Sequence, residues 1–121
     1  MSTDYGEYFK EDEFYCHCGE CEFPGMDQEL LDKLNLSRES AGIPFSITSG
    51  YRCSKFNTEI GGNRLSAHMK GMAADILCTD SSKRFKMIET LQPYFDRIGI
   101  ASDFIHVDVD STKPGFVMWT Y

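Results

Sequence analysis

The chain has 121 residues, 19 Asp and Glu against 12 Lys and Arg, and a net charge of −7 at pH 7. That length buries one core and not two, so one domain over residues 1–121 with one site is expected. The charge repels nucleic-acid phosphates and anionic headgroups, which argues against a polyanion-binding role. No stretch approaches the ~18 apolar residues of a membrane span.

Along the chain, the opening Met-Ser-Thr-Asp-Tyr-Gly-Glu-Tyr lacks a basic segment followed by an apolar core, so a soluble chain made in the cytoplasm without a signal peptide is expected. Asp27 can cap a helix carrying Leu30, Leu31 and Leu34, which Gly42 and Pro44 end. Phe45, Ile47 and Ser49 alternate with Ser46 and Thr48 as in a short strand, leaving Arg52 just beyond the strand end. A short helix is expected from Ser54 to Ile60, and a buried strand from Ala73 to Cys78. Asp80 or Ser81 can cap a second long helix, with Phe85, Ile88 and Leu91 at helical spacing and Pro93 near its end. Arg97 to Ile100, Phe104 to Val109 and Phe116 to Thr120 are β-rich and suit a meander. The expected class is α+β, with leading helices packed on a central antiparallel sheet.

The chemistry concentrates in Ser66-Ala-His68-Met-Lys-Gly71-Met-Ala73-Ala-Asp75 and in Phe104-Ile-His106-Val-Asp108. Two neutral imidazoles and a carboxylate suit Zn²⁺ when one coordination position must stay open. Gly71 lets the chain turn after His68, and Ala73 and Ala74 are small enough for the strand bearing Asp75 to pass closely. From spacing alone, a surface histidine and a strand-initiating aspartate fit as well as a metal site.

Three ordered motifs go further: Ser49-Gly50-Tyr51-Arg52, the Ser-x-His-x-x-Gly-x-Ala-x-Asp stretch ending at Asp75, and Phe104-Ile-His-Val-Asp-Val109. Together with Glu13-Phe14-x-Cys16, Tyr51-Arg52-Cys53, Asn57, Ile60-Gly61-Gly62 and Trp119, they resemble the zinc D-Ala-D-Ala peptidases of peptidase family M15, above all its short phage and bacterial members. The resemblance runs from about Phe9 to Trp119. It implies the fold shared with the Hedgehog signalling domain and zinc ligands at His68, Asp75 and His106. It also implies a place for Arg52 beside the metal, where a guanidinium can stabilise a developing oxyanion.

Two carboxylates compete as general base. Asp103 stands three residues before His106, as an acidic residue does in some family members. In a regular strand Asp108 shares a face with His106 and Asp103 does not, so Asp103 serves only from a bend or bulge at Ala101-Ser102. Asp103 is the preferred base. Asp108 is the alternative, or else the acceptor that fixes a ligand histidine. Asp110 is expected to be solvated near a turn. Ser66 contacts substrate or stabilises the turn into His68.

Five cysteines, Cys16, Cys18, Cys21, Cys53 and Cys78, are an odd number with no secretory context, so no disulfide framework is expected. Cys16-His17-Cys18-x-x-Cys21 with Cys53 raises a second, structural metal site. The first two cysteines are only one residue apart, whereas such sites present two well-separated pairs, so a single zinc per chain is expected. Cys78 reads as a buried apolar thiol.

The implied activity is hydrolysis of peptidoglycan peptide bonds, at a terminal D-Ala-D-Ala bond or an internal one, by a monomeric enzyme with the cell-wall peptide as partner. A phage lysin released onto the wall fits a chain without an export signal. The rival readings are a non-catalytic zinc-stabilised interaction module and a phage structural protein.

Overall fold

The computed structural model describes residues 3–121. A 3-10 turn, Glu11–Phe14, precedes helix α1, Gln28–Ala41. The Asp27 carboxylate caps α1 by accepting from the amides of Glu29 and Leu30, and the helix ends at Gly42, as the capping residues predict. Strand β1, Ile47–Ser49, is shorter than the alternation beginning at Phe45 implies; Phe45 is buried in the core before the strand starts. Helix α2, Ser54–Glu59, follows, then a 3-10 turn at Ala67–Lys70 and strand β2, Ala73–Leu77.

Helix α3, Ser81–Leu91, is capped by Asp80. Its buried face carries Met87, Thr90 and Leu91, while Phe85 is exposed to solvent, contrary to the spacing argument. At about 100° per residue Phe85 lies about 120° around the helix from Leu91, and Met87 only about 40°. Strands β3, Arg97–Ile100, β4, Phe104–Asp108, and β5, Val117–Thr120, complete the chain.

The five strands form one sheet in the order β1-β2-β4-β3-β5. The first three pairings are antiparallel, but β5 runs parallel to β3, with Arg97 opposite Val117 and Gly99 opposite Trp119. The sheet is therefore mixed, and its last three strands are not a meander. The cause is occupancy: β2 and β3 fill both edges of β4, so the chain leaving Asp108 must pass the start of β3 to reach a free edge, and arrives running in the direction of β3. Nor do the helices lead, since α2 and α3 lie between strands.

Alternation divides the sheet chemically. Ala74 and Ile76 of β2, with Ile105 and Val107 of β4, join Leu30, Leu31 and Leu34 of α1 and Met87 and Leu91 of α3 in one apolar cluster. At about 25 cal/mol per Å², burying each large aliphatic side chain there stabilises the fold by about 2 kcal/mol. The residues between them, Asp75 on β2 and His106 and Asp108 on β4, belong to the opposite face. The helix-backed core thus gives the polar face a rigid floor.

Candidate active site

Register builds the centre of the site. Asp75 and His106 are directly opposed on β2 and β4, and Asp75 Oδ1 lies 2.9 Å from His106 Nδ1. Direct cross-strand neighbours stand about 5 Å apart at Cβ, so a carboxylate and an imidazole meet there without distortion.

His68 arrives from a different element. It sits in the Ala67–Lys70 turn, whose first amides are capped by Ser66: the buried serine hydroxyl accepts from His68 N at 3.2 Å. Ser66 thus stabilises the turn into His68. The turn ends at Gly71 with φ +70°, and a Cβ there would lie 2.8 Å from the Gly25 carbonyl oxygen, so both conformation and space require glycine. His68 Nδ1 lies 2.7 Å from the Gly50 carbonyl, which can only accept; Nδ1 therefore carries the proton and Nε2 presents a lone pair.

That Nε2 is 3.2 Å from Asp75 Oδ1 yet makes no hydrogen bond, which leaves a buried nitrogen orphaned beside a carboxylate. His68, Asp75 and His106 each offer a ligand atom, all within 4.8 Å of one another, and all three residues are buried. An unpaired imidazole nitrogen, a carboxylate oxygen and a second imidazole nitrogen converging on one point form a donor set that could hold a metal ion.

Asp108 supports this set from behind. Its Oδ2 is 2.7 Å from His106 Nε2, and its Oδ1 accepts from Arg97 Nε at 2.8 Å and from Asp110 N at 3.1 Å. A histidine whose outer nitrogen is bound by a carboxylate has its ring orientation fixed. Burial opposes charge on each group here, but the mutual contacts outweigh it. Asp108 and Asp75 raise the pKa of the His106 ring above the usual histidine value, while those of both carboxylates are held below their usual range.

Arg52 lies at the rim, its Nη2 3.6 Å from Asp75 Oδ2. Its position is fixed three ways: the Arg52 amide donates to the His68 carbonyl, Nε to Ser49 Oγ at 3.2 Å, and Nη1 to Asn57 Oδ1 at 3.1 Å. Asn57 is itself buried, with Nδ2 donating to the Asn63 carbonyl. Trp119 stands over the opposite rim, its ring 5.5 Å from that of His106 and stacked under Arg97 at 5.0 Å.

Asp103 lies at the turn that opens β4, three residues before His106. The chain turns from β3 into β4 at Ser102-Asp103, closed by the Ala101 amide donating to the Phe104 carbonyl, and Asp103 is exposed at that turn. Among the described residues no hydrogen bond or ion pair engages its carboxylate. The bend that Asp103 needs is present as a hairpin turn, whereas Asp108 is the carboxylate in contact with His106. Asp110, expected in solvent, is instead buried: Oδ1 accepts from the amide and hydroxyl of Thr112, and Oδ2 from Lys70 Nζ at 3.0 Å. It ties the turn bearing His68 to the loop after β4.

The sequence reading gave no role to Ser49, Asn57 and Arg97. Asn57 and Ser49 stand within the motifs around Arg52, and a planar guanidinium requires such fixed acceptors; Arg97 carries no local signal.

Among the described residues no helix is long and apolar enough to cross a membrane. No curated protein matches the sequence. A family model described as Peptidase M15 matches residues 7–108, from the N-terminal segment to the end of β4. The match takes in His68, Asp75, His106, Arg52 and both candidate bases, and stops short of β5 and Trp119.

Proposed function

The chain belongs to peptidase family M15, and from that premise we propose that it is a zinc peptidase of bacterial cell-wall peptides, with His68, Asp75 and His106 holding the metal. The observation that carries this reading is the orphaned Nε2 of His68 beside Asp75, a geometry that a metal ion completes and that a hydrogen-bonded core would not leave. Zinc bound there supplies a Lewis acid and an acidified water. The protein fold is, on this reading, that of the Hedgehog and D-Ala-D-Ala peptidase group, and the enzyme acts as a monomer.

The residues divide the remaining work. Arg52, clamped by Ser49 and Asn57, faces the oxyanion that develops on the scissile carbonyl. Asp108 has both oxygens committed, to His106 and Arg97, and so positions a ligand. Asp103, whose carboxylate is unengaged, takes the proton from the attacking water and returns it to the leaving amine. The substrate is a stem or cross-bridge peptide of peptidoglycan, and a phage-encoded enzyme that reaches the wall after release fits this small acidic chain.

Purified protein is expected to release new amino groups from purified peptidoglycan, and a chelator to abolish the release. Asp103→Asn is expected to lose about 10³-fold in rate with its metal retained. Asp108→Asn is expected to bind metal about 10- to 100-fold more weakly. A dead Asp108→Asn with full metal content, beside an active Asp103→Asn, would transfer the base to Asp108. Failure of the metal-loaded wild type on every muropeptide would favour a non-catalytic interaction module.

A further inference from the structure

Outside the active site the structure gathers a second set of potential ligands. The sulfurs of Cys16, Cys18, Cys21 and Cys53 all lie within 4.8 Å of one another, and all four cysteines are free. Cys16 Sγ is 3.7 Å from Cys53 Sγ, which is 3.8 Å from Cys18 Sγ. A disulfide requires sulfurs about 2.05 Å apart. Four thiolates around zinc at about 2.3 Å occupy the corners of a tetrahedron whose edges are about 3.8 Å. The two sulfur–sulfur separations match the edge of that tetrahedron.

We infer that Cys16, Cys18, Cys21 and Cys53 bind a second, structural zinc ion, closed by four thiolates and separate from the His68-Asp75-His106 set. The backbone is arranged as a thiolate site needs. Glu20 N and Cys21 N donate to Cys18 Sγ at 3.5 and 3.3 Å, Cys53 N to Cys16 Sγ at 3.4 Å, and Phe56 N to Cys53 Sγ at 3.4 Å. Amide donors of this kind orient ligand sulfurs and share their negative charge.

Spacing argues against this site, since Cys16 and Cys18 are separated by a single residue. The obstacle is removed by Gly19, which adopts φ +73° while its amide donates to the Cys16 carbonyl. That left-handed turn folds Cys18 and Cys21 back on Cys16, so three sulfurs converge from six residues and the fourth comes from the chain after β1. All-sulfur tetrahedral coordination selects zinc or iron, and with no cluster sulfide required, zinc is the simpler occupant.

The site has a purpose in the architecture. Cys53 immediately follows Arg52 and caps α2, which carries Asn57, the acceptor that holds the Arg52 guanidinium. The zinc would pin the segment 16–21 to this point, beside the bond from Tyr51 N to the Phe14 carbonyl. The metal there would serve as a staple for the shoulder on which Arg52 stands, in a chain whose size gives it a small core.

Elemental analysis and native mass spectrometry of the reduced full-length protein decide the matter. Two zinc ions per chain are expected in the wild type, one in His68→Ala and one in Cys53→Ser. Cobalt loaded into His68→Ala is expected to show the intense near-ultraviolet thiolate-to-cobalt charge-transfer absorption, which needs no peptidase activity and leaves every thiol in place. Should Cys53→Ser fail to fold, that spectrum and the wild-type count still decide. One zinc in the wild type with none in His68→Ala, a cobalt spectrum without thiolate absorption, or iron in place of zinc would each overturn the inference.

Discussion

The two clusters of potential metal ligands are built on opposite terms. His68, Asp75 and His106 are held by sheet register and one capped turn: Asp75 faces His106 across β2 and β4, His68 is anchored through Nδ1 to the Gly50 carbonyl, and His106 stands between Asp75 and Asp108. The cysteine cluster has little regular structure beneath it, since Cys16, Cys18 and Cys21 lie outside any helix or strand and only Cys53 touches a helix. The first set offers three protein ligands and the second four. A three-ligand site keeps a position for chemistry, and a closed site holds the fold. The fold can thus preorganise the first cluster, while the second organises chain that the core does not.

The largest effect that tests this contrast is removal of His68. His68→Ala is expected to abolish peptidase activity and to remove one metal per chain, while the thiolate-bound ion stays and the chain keeps its secondary structure by circular dichroism. If both metals leave together, the clusters are one cooperative unit and the distinction between them fails.

A smaller effect tests the link between the clusters, which runs through Arg52. Arg52→Lys is expected to lower kcat by about 100-fold with metal content unchanged, by analogy with removal of one oxyanion donor. Lysine keeps the charge, but it cannot bond Ser49 and Asn57 at once through a planar fork. Unchanged turnover would remove Arg52 from the chemistry and leave it as a structural bridge between the two regions.

What the sequence could say divides along the same line. Helix α1 was legible because its cap, apolar stripe and terminal glycine agree, and the strands bearing Asp75 and His106 because their patterns are strong. The parallel pairing of β5 was not, since it depends on which sheet edges are already occupied, a non-local fact. Phe85 misled because spacing of three was matched without asking which way the helix as a whole faces. The candidate ligand residues come from motifs rather than from periodicity, and the geometry shows what motifs cannot, that Ser49 and Asn57 bond the Arg52 side chain and Arg97 bonds Asp108. The cysteine cluster was discounted on spacing because the left-handed turn at Gly19 is invisible until the backbone is traced.

The smallest effect concerns Asp110, which joins the turn bearing His68 to the loop beyond β4. Burial favours its neutral form, but the bonds from Thr112 and the ammonium of Lys70 prevail and hold its carboxyl at about 2. Lys113 adds a weaker contact at 3.7 Å. An unfolded aspartate titrates near about 3.9. A carboxylate depressed on folding contributes stability that is fully present above the unfolded value and is lost as pH falls through the folded one. Asp110→Asn preserves shape and an acceptor for Thr112 but removes the charge that Lys70 meets. Because Lys70 is partly exposed and screened by solvent, the loss at neutral pH is expected to be about 1 kcal/mol, or about 4 °C in Tm. The difference between wild type and variant should stay constant from neutral pH down to about 5, shrink between pH 4 and 2, and vanish below that. Acid also strips metal from both proteins, so the difference between them, and not either melting curve alone, reports Asp110. A difference that persists unchanged at pH 2 would mean that the carboxamide disturbs packing, and that charge is not what joins this turn to the sheet.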